Sequence, residues 1–226
     1  EYNSESFLVT FLQYLIKHCF QLFQLLLTVY YESKSGETAR FMKQQLQPAV
    51  HLLHDYISLK LVPFGTSTSI GYGRGGFLCR RGPSECLGNM VQDCALELLR
   101  TSNDMKIVDY VTCEMMTLCV ANAGVEPNRV KSCVRSVIGT RLQLDSEYQT
   151  SRIEHVSLPT AICNYLRQDN ALEDLTGILC AKLRHTKPCQ TYFNNLALNV
   201  NEGLLSYAVV IRQYDTSDLP RLGTGT

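Results

Sequence analysis

The segment Tyr30-Tyr31-Glu32-Ser33-Lys34-Ser35-Gly36-Glu37-Thr38 joins an apolar run to an amphipathic one. Upstream, Leu25 to Tyr31 has the length and apolar density of a buried strand. Downstream, from Thr38 to about His54, residues Phe41, Met42, Gln45, Leu46, Ala49, Val50 and Leu53 share one side of a helix. Ser35 suits the N-cap of that helix, where its hydroxyl accepts from an otherwise orphaned N–H, and Glu37 complements the helix dipole in the first turn. Pro48 is expected to kink it. Ile57 to Pro63 reads as a second strand. Strand, helix, strand is a βαβ unit, with parallel right-handed pairing as the default.

Working outward, the next informative stretch is Cys79-Arg80-Arg81-Gly82-Pro83-Ser84-Glu85-Cys86-Leu87-Gly88-Asn89, followed by Cys94. The 226 residues carry ten cysteines: Cys19, Cys79, Cys86, Cys94, Cys113, Cys119, Cys133, Cys163, Cys180 and Cys189. None is spaced Cys-x-x-Cys, so zinc-ribbon and finger patterns fail. An oxidising compartment with several disulfides is the simplest reading. Cys180 and Cys189 are expected to close a short loop. Cys79, Cys86, Cys94, Cys113, Cys119 and Cys133 are expected to pair among themselves, in an order the sequence leaves open. Cys19 and Cys163 are expected as buried thiols. Twenty-one Lys and Arg balance 21 Asp and Glu, so no global field draws the chain to nucleic acid or an anionic membrane. With 45% hydrophobic residues there is ample material for a core.

Five local matches in order resemble the gamma-interferon-inducible lysosomal thiol reductase family. They are Val29-Tyr30-Tyr31-Glu32-Ser33, Gln45-Leu46-Gln47-Pro48-Ala49, Leu61-Val62-Pro63-Phe64-Gly65, the Cys79 to Cys94 stretch, and Leu158-Pro159-Thr160-Ala161-Ile162-Cys163-Asn164. The fourth is similar to the family signature Cys-Gln-His-Gly-x-x-Glu-Cys-x-x-Asn-x-x-x-x-Cys. The resemblance runs from about Leu27 to Cys189. It implies an α/β, thioredoxin-like fold with a disulfide-tied helical insertion. It implies disulfide reduction as the family activity, and a cis peptide at Pro159 that faces the redox turn and helps to hold an extended peptide.

Two departures matter. Arg80-Arg81 stand for the signature's Gln-His and add local positive charge. Ser35 and Thr38 stand where the resemblance places the redox cysteines. Thiol exchange needs a thiolate to attack a disulfide and a second thiol to resolve the product. A helix N-terminus lowers a cysteine pKa into the working range. A serine there stays protonated without a base, a threonine cannot resolve a mixed disulfide, and no Asp/His pair lies nearby in sequence to activate Ser35. The catalytic set is therefore expected to be empty, with Ser35, Thr38 and Pro159 as its degenerate remnant, no cofactor, and a protein or extended peptide as the partner. Two other functions stay open. One is weak thiol–disulfide exchange through non-family cysteines such as Cys163. The other is an oligomeric structural role.

That last role would use residues 1–24, where Phe7, Leu8, Phe11, Leu12, Leu15, Cys19, Leu22 and Phe23 make one face of an amphipathic helix. Gln13, Lys17, His18 and Gln21 interrupt the run and argue against a membrane span. No signal peptide is visible from Glu1 onward, and no Asn-x-Ser/Thr sequon occurs, which favours secretion over glycan-directed lysosomal sorting while an endosomal or lysosomal lumen stays open. Residues 25–189 are expected to form the main domain, with the helical insertion at about 66–153, and residues 190–226 a C-terminal extension. Within the insertion, helices are expected over Pro83 to Arg100, Met105 to Ala121, Glu126 to Ile138 and Arg141 to Ile153. Gly71-Tyr72-Gly73-Arg74-Gly75-Gly76 matches a dinucleotide fingerprint by letter. It lacks the flanking strand and helix, so it reads as a mobile loop. His51 and His54, beside Asp55, lie on a solvated helix face and are too few for a metal site.

Overall fold

A computed structural model describes residues 24–116, 124–153 and 157–202, with side chains described as far as residue 197. The helix expected over residues 1–24 lies, but for its last residue, outside the described residues, as do Cys19, Cys119 and the run Leu204 to Ile211, whose apolar sequence reads as a strand.

Strand β1 (Leu25–Tyr31) is buried along almost its whole length, as its unbroken apolar sequence requires of a central strand. It pairs in parallel with β2 (Ile57–Pro63), from Leu25 opposite Ile57 to Tyr31 opposite Pro63. On its other side it pairs antiparallel with β5 (Thr160–Cys163), from Leu27 opposite Cys163 to Tyr30 opposite Thr160. A two-residue edge strand, β6 (Leu166–Arg167), completes a mixed sheet of order β2-β1-β5-β6.

The helix after β1 begins at Gly36, as α1 (Gly36–Phe41), passes through a π-helical segment (Met42–Leu46) and ends as α2 (Gln47–Leu53). The expected effect of Pro48 takes this form. Proline has no N–H to offer to the preceding turn, and the wider register, with Gln47 N–H donating to Met42 O, accommodates it without breaking the helix. Phe41, Met42, Leu46, Ala49, Val50 and Leu53 are all buried.

The predicted loop between Phe64 and Phe77 contains a small antiparallel hairpin, β3 (Thr68–Ser69) with β4 (Phe77–Leu78). It is held rather than loose. Ser69 N–H donates to Glu147 Oε1 at 2.8 Å, and a Cβ on Gly73 would meet Thr140 Cγ2 at 2.7 Å. The insertion helices follow: α3 (Pro83–Leu99), α4 (Asp104–Met115), α5 (Pro127–Val134) and α6 (Val137–Ser151). Helices α3 and α6 pack on one another and on β2, while α2 packs on α4. The Cys94–Cys133 disulfide fastens α5 to α3.

The chain divides into two compact units after Leu175. Helix α7 (Ala171–Lys182) bends at Asp174 and runs into the second unit. There, α8 (Lys187–Glu202) follows a tight turn closed by Thr186 Oγ donating to Leu183 O at 2.8 Å and by the Cys180–Cys189 disulfide.

Candidate functional site

Strand register brings the candidate residues together. Because Tyr30 faces Thr160 across the antiparallel pair, Pro159 lies beside the end of β1, where the chain turns into α1. The Leu158–Pro159 peptide is cis and Pro159 is buried. Gly65, after β2, closes the third side. At φ +65° it adopts a conformation that glycine takes without strain, and a Cβ there would sit 2.1 Å from Glu32 Cγ and 2.8 Å from Leu158 Cδ1.

At the turn itself, Ser35 is the N-cap of α1. Its backbone is extended, and its hydroxyl accepts from Thr38 N–H at 3.3 Å. Thr38 is fully buried, and its Oγ1 has no hydrogen-bond partner among the described residues. Ser35 has spent its oxygen on the cap, and none of its described hydrogen bonds runs to a base that could activate it.

The turn is clamped from α3. Asn89 Oδ1 accepts from Ser33 N–H at 2.9 Å, and Asn89 Nδ2 donates to Phe64 O at 3.4 Å. Ser33 Oγ donates to Glu85 O at 3.1 Å. Gly88 lies against Ser33, where a Cβ would come within 2.5 Å of the hydroxyl.

A charged cluster underlies the clamp. Arg81 Nη1 donates to Glu32 Oε2, and also to Glu85 Oε2 at 2.8 Å. Arg81 N–H donates to Glu85 Oε1 at 3.1 Å. Thr66 donates to Glu32 Oε1 through its hydroxyl at 2.7 Å and its N–H at 3.2 Å. Both carboxylates are buried, so a counter-charge is obligatory. Burial alone would raise the Glu32 pKa, but the bonds from Thr66 and Arg81 outweigh it and hold the carboxyl below its usual range. The local positive charge expected from Arg81 is thus consumed by two carboxylates. Sequence reasoning missed this cluster. Its only local trace is the four-residue spacing of Arg81 and Glu85.

The cysteines are placed as follows. Cys79 is bonded to Cys86, Cys94 to Cys133, and Cys180 to Cys189. Cys113 is also disulfide-bonded. Cys163 is buried in β5 opposite Leu27. His51 is exposed, as expected of a solvated helix face, and its Nε2 lies 2.7 Å from Asp109 Oδ1 on α4. Gln45, expected on the apolar side of the helix, instead receives Leu175 N–H at its Oε1 (3.2 Å) and donates to Glu173 O at 2.9 Å.

Comparison with known proteins places the chain in a family. The profile of the family described as gamma interferon inducible lysosomal thiol reductase (GILT) matches residues 26–137. GILT-like protein 1 of Drosophila melanogaster is 30% identical over 193 residues, covering 72% of this chain and 76% of the relative. A GILT-like protein of Caenorhabditis elegans is 28% identical over 184 residues, 75% of this chain but only 56% of that longer relative. The gamma-interferon-inducible lysosomal thiol reductase of Carassius auratus is 26% identical over 174 residues, 71% of this chain and 69% of the relative.

Proposed function

We propose, from the premise that this chain belongs to the gamma-interferon-inducible lysosomal thiol reductase family, that it keeps the family scaffold and has given up the redox chemistry. The scaffold in this reading is thioredoxin-like, as the family implies, with α3 to α6 as the disulfide-tied insertion. One observation carries the proposal: hydroxyls occupy both positions at the start of α1, with Ser35 engaged as a cap and Thr38 sealed in the core. Neither can form a mixed disulfide.

What remains is a binding surface. The cis peptide at Pro159 lies beside the end of β1, next to the turn into α1, and this is where an extended peptide or protein segment would lie. The disulfides and the lysosomal reductases among the relatives support residence in the lumen of the secretory or lysosomal route. Among the described residues, no helix is long and apolar enough to cross a membrane.

The test is reduction of insulin disulfides at mildly acidic pH by the wild type beside a Ser35→Cys, Thr38→Cys double variant. Activity in the variant alone is the expected result. Wild-type turnover equal to that of the variant overturns the proposal.

A further inference from the structure

Going beyond that reading, we propose that the Cys79–Cys86 disulfide is a thiol–disulfide exchange site whose reduction by a dithiol releases the clamp on the Glu32 to Thr38 turn. Three observations converge on it. The first is access. Cys79 and Cys86 are both only half-buried, whereas Cys180 and Cys189 are fully buried, as is Cys94 at one end of its bridge. Of the three bridges described at both ends, this one alone opens to solvent at both cysteines.

The second is asymmetry. The buried Ser67 hydroxyl donates to Cys79 Sγ at 3.1 Å. At Cys86 the neighbour is the Phe77 carbonyl oxygen, 3.3 Å from Sγ. A donor stabilises a thiolate, and a carbonyl oxygen favours the protonated thiol. Arg80, next in the chain after Cys79, adds an exposed positive charge to this segment. The start of α3 acts the other way on Cys86, the fourth residue of that helix, and against it the direct hydroxyl donor at Cys79 and the carbonyl at Cys86 make Cys79 the better leaving sulfur and Cys86 the one attacked.

The third is coupling. The loop closed by the disulfide contains Arg81, which pairs with Glu32, and Glu85, which pairs with Arg81 and whose backbone carbonyl accepts from Ser33 Oγ. The same bridge ties the end of β4 to the first turns of α3.

The exchange balances as follows. One thiolate of the dithiol attacks Cys86 Sγ, forming a mixed disulfide. The Cys79–Cys86 bond breaks, and its electron pair leaves on Cys79 as a thiolate that accepts the Ser67 hydroxyl. The second thiol of the reductant then attacks the mixed disulfide and departs as an oxidised cyclic disulfide. Cys86 takes up a proton and, as a thiol, donates to Phe77 O. Two electrons pass from the dithiol to the protein. The step uses neither Ser35 nor Thr38, so it holds or fails independently of the binding role.

The experiment titrates the intact protein with dithiothreitol under native conditions, followed by alkylation and peptide mass spectrometry, with hydrogen exchange measured on the same samples. Cys79 and Cys86 are expected to alkylate roughly tenfold faster than Cys94, Cys133, Cys180 and Cys189, from access and leaving-group quality. Exchange at residues 32–38 is expected to rise in step. Ser67→Ala is expected to slow labelling of the pair several-fold, while a Cys79→Ser, Cys86→Ser variant shows the faster exchange without reductant. Labelling of all the bridges together, or reduction of this one with unchanged exchange at residues 32–38, overturns the proposal.

Discussion

Replacing Asp93 with asparagine should remove most of the pH dependence of stability between pH 5 and 7. Asp93 lies on α3 and is 7% exposed. From α6, Gln143 Nε2 donates to its Oδ2 at 2.5 Å and Ser146 Oγ lies 3.0 Å from each carboxylate oxygen. No described cation pairs with it, and the charged or ionisable groups acting with it are Asp145 on α6 and Tyr31 on β1. Burial is the main cause that pushes its pKa up to about 8. The bonds from Gln143 and Ser146 pull down, and the charge of Asp145 pushes up further. In the unfolded chain the same carboxyl titrates near about 3.9. Between those values the folded state holds a proton that the unfolded state has lost, so stability falls as pH rises. The slope is about 1.4 kcal/mol per pH unit, or about 2.7 kcal/mol from pH 5 to pH 7. Asparagine keeps an acceptor oxygen for Gln143 and Ser146 but has no charge to bury. The assay is urea unfolding followed by circular dichroism at pH 5, 6 and 7. Asp104 and Glu114, which burial also raises, titrate in both proteins, so the difference between wild type and Asp93→Asn isolates the one carboxyl. With an m-value near about 3 kcal/mol/M, the wild-type midpoint should drop by roughly 1 M more than that of the variant. Parallel lines for the two proteins would refute the reasoning.

Two further substitutions probe the site. Thr38→Val keeps the shape of the side chain and deletes a buried hydroxyl that has no partner, so it should raise stability by about 1 kcal/mol, read as an increase in Tm of roughly 2–4 °C; a loss of that size would mean that the hydroxyl is satisfied in solution. Arg81→Met leaves Glu32 and Glu85 buried without their counter-charge. It should cost about 3 kcal/mol at pH 7, the low end for breaking a buried pair because the Arg81 side chain is 35% exposed, and less at pH 4, where burial without the Arg81 bond favours protonation of Glu32; urea midpoints at the two pH values check both statements.

Strands β1 and β2 were legible residue for residue: β1 as a dense apolar run suited to a central strand, and β2 as an alternation, with Ser58 and Lys60 between apolar residues, suited to an edge. The start of α1 was legible because an N-cap is a local device, fixed by Ser35 and the N–H three residues on. The far side of the sheet was legible in part. The run Val156 to Ile162 reads as a strand broken by a turn at Pro159, and β5 takes up the half after the proline, while β6 has two residues, too few to show a period. The turn between them is made by Asn164 and Tyr165, both at positive φ, and a tyrosine gives no sequence signal for that conformation. The charged cluster was hidden for another reason. Glu32 meets Arg81 only after the chain has passed through β2 and the hairpin, and Arg81 looked like surplus positive charge until both carboxylates were placed around it.

The clamp also bears on how the fold is kept with hydroxyls at positions 35 and 38. Asn89, Gly88, Glu85 and Arg81 hold the turn through Ser33 and Glu32, and none of these contacts uses the side chain of residue 35 or 38. The one structural task assigned to position 35 is the cap, and serine is among the preferred residues for it. Placing cysteine at position 35 should therefore weaken the start of α1, by about 1 kcal/mol on the scale of lost caps. At position 38 the exchange runs the other way, since a thiol is a weak donor and tolerates a buried site without a partner better than a hydroxyl does. On this argument the double cysteine variant folds with nearly unchanged stability, measured as its urea midpoint in the reduced form. A large loss would mean that residues 35 and 38 support the turn in a way that the contacts from α3 do not account for.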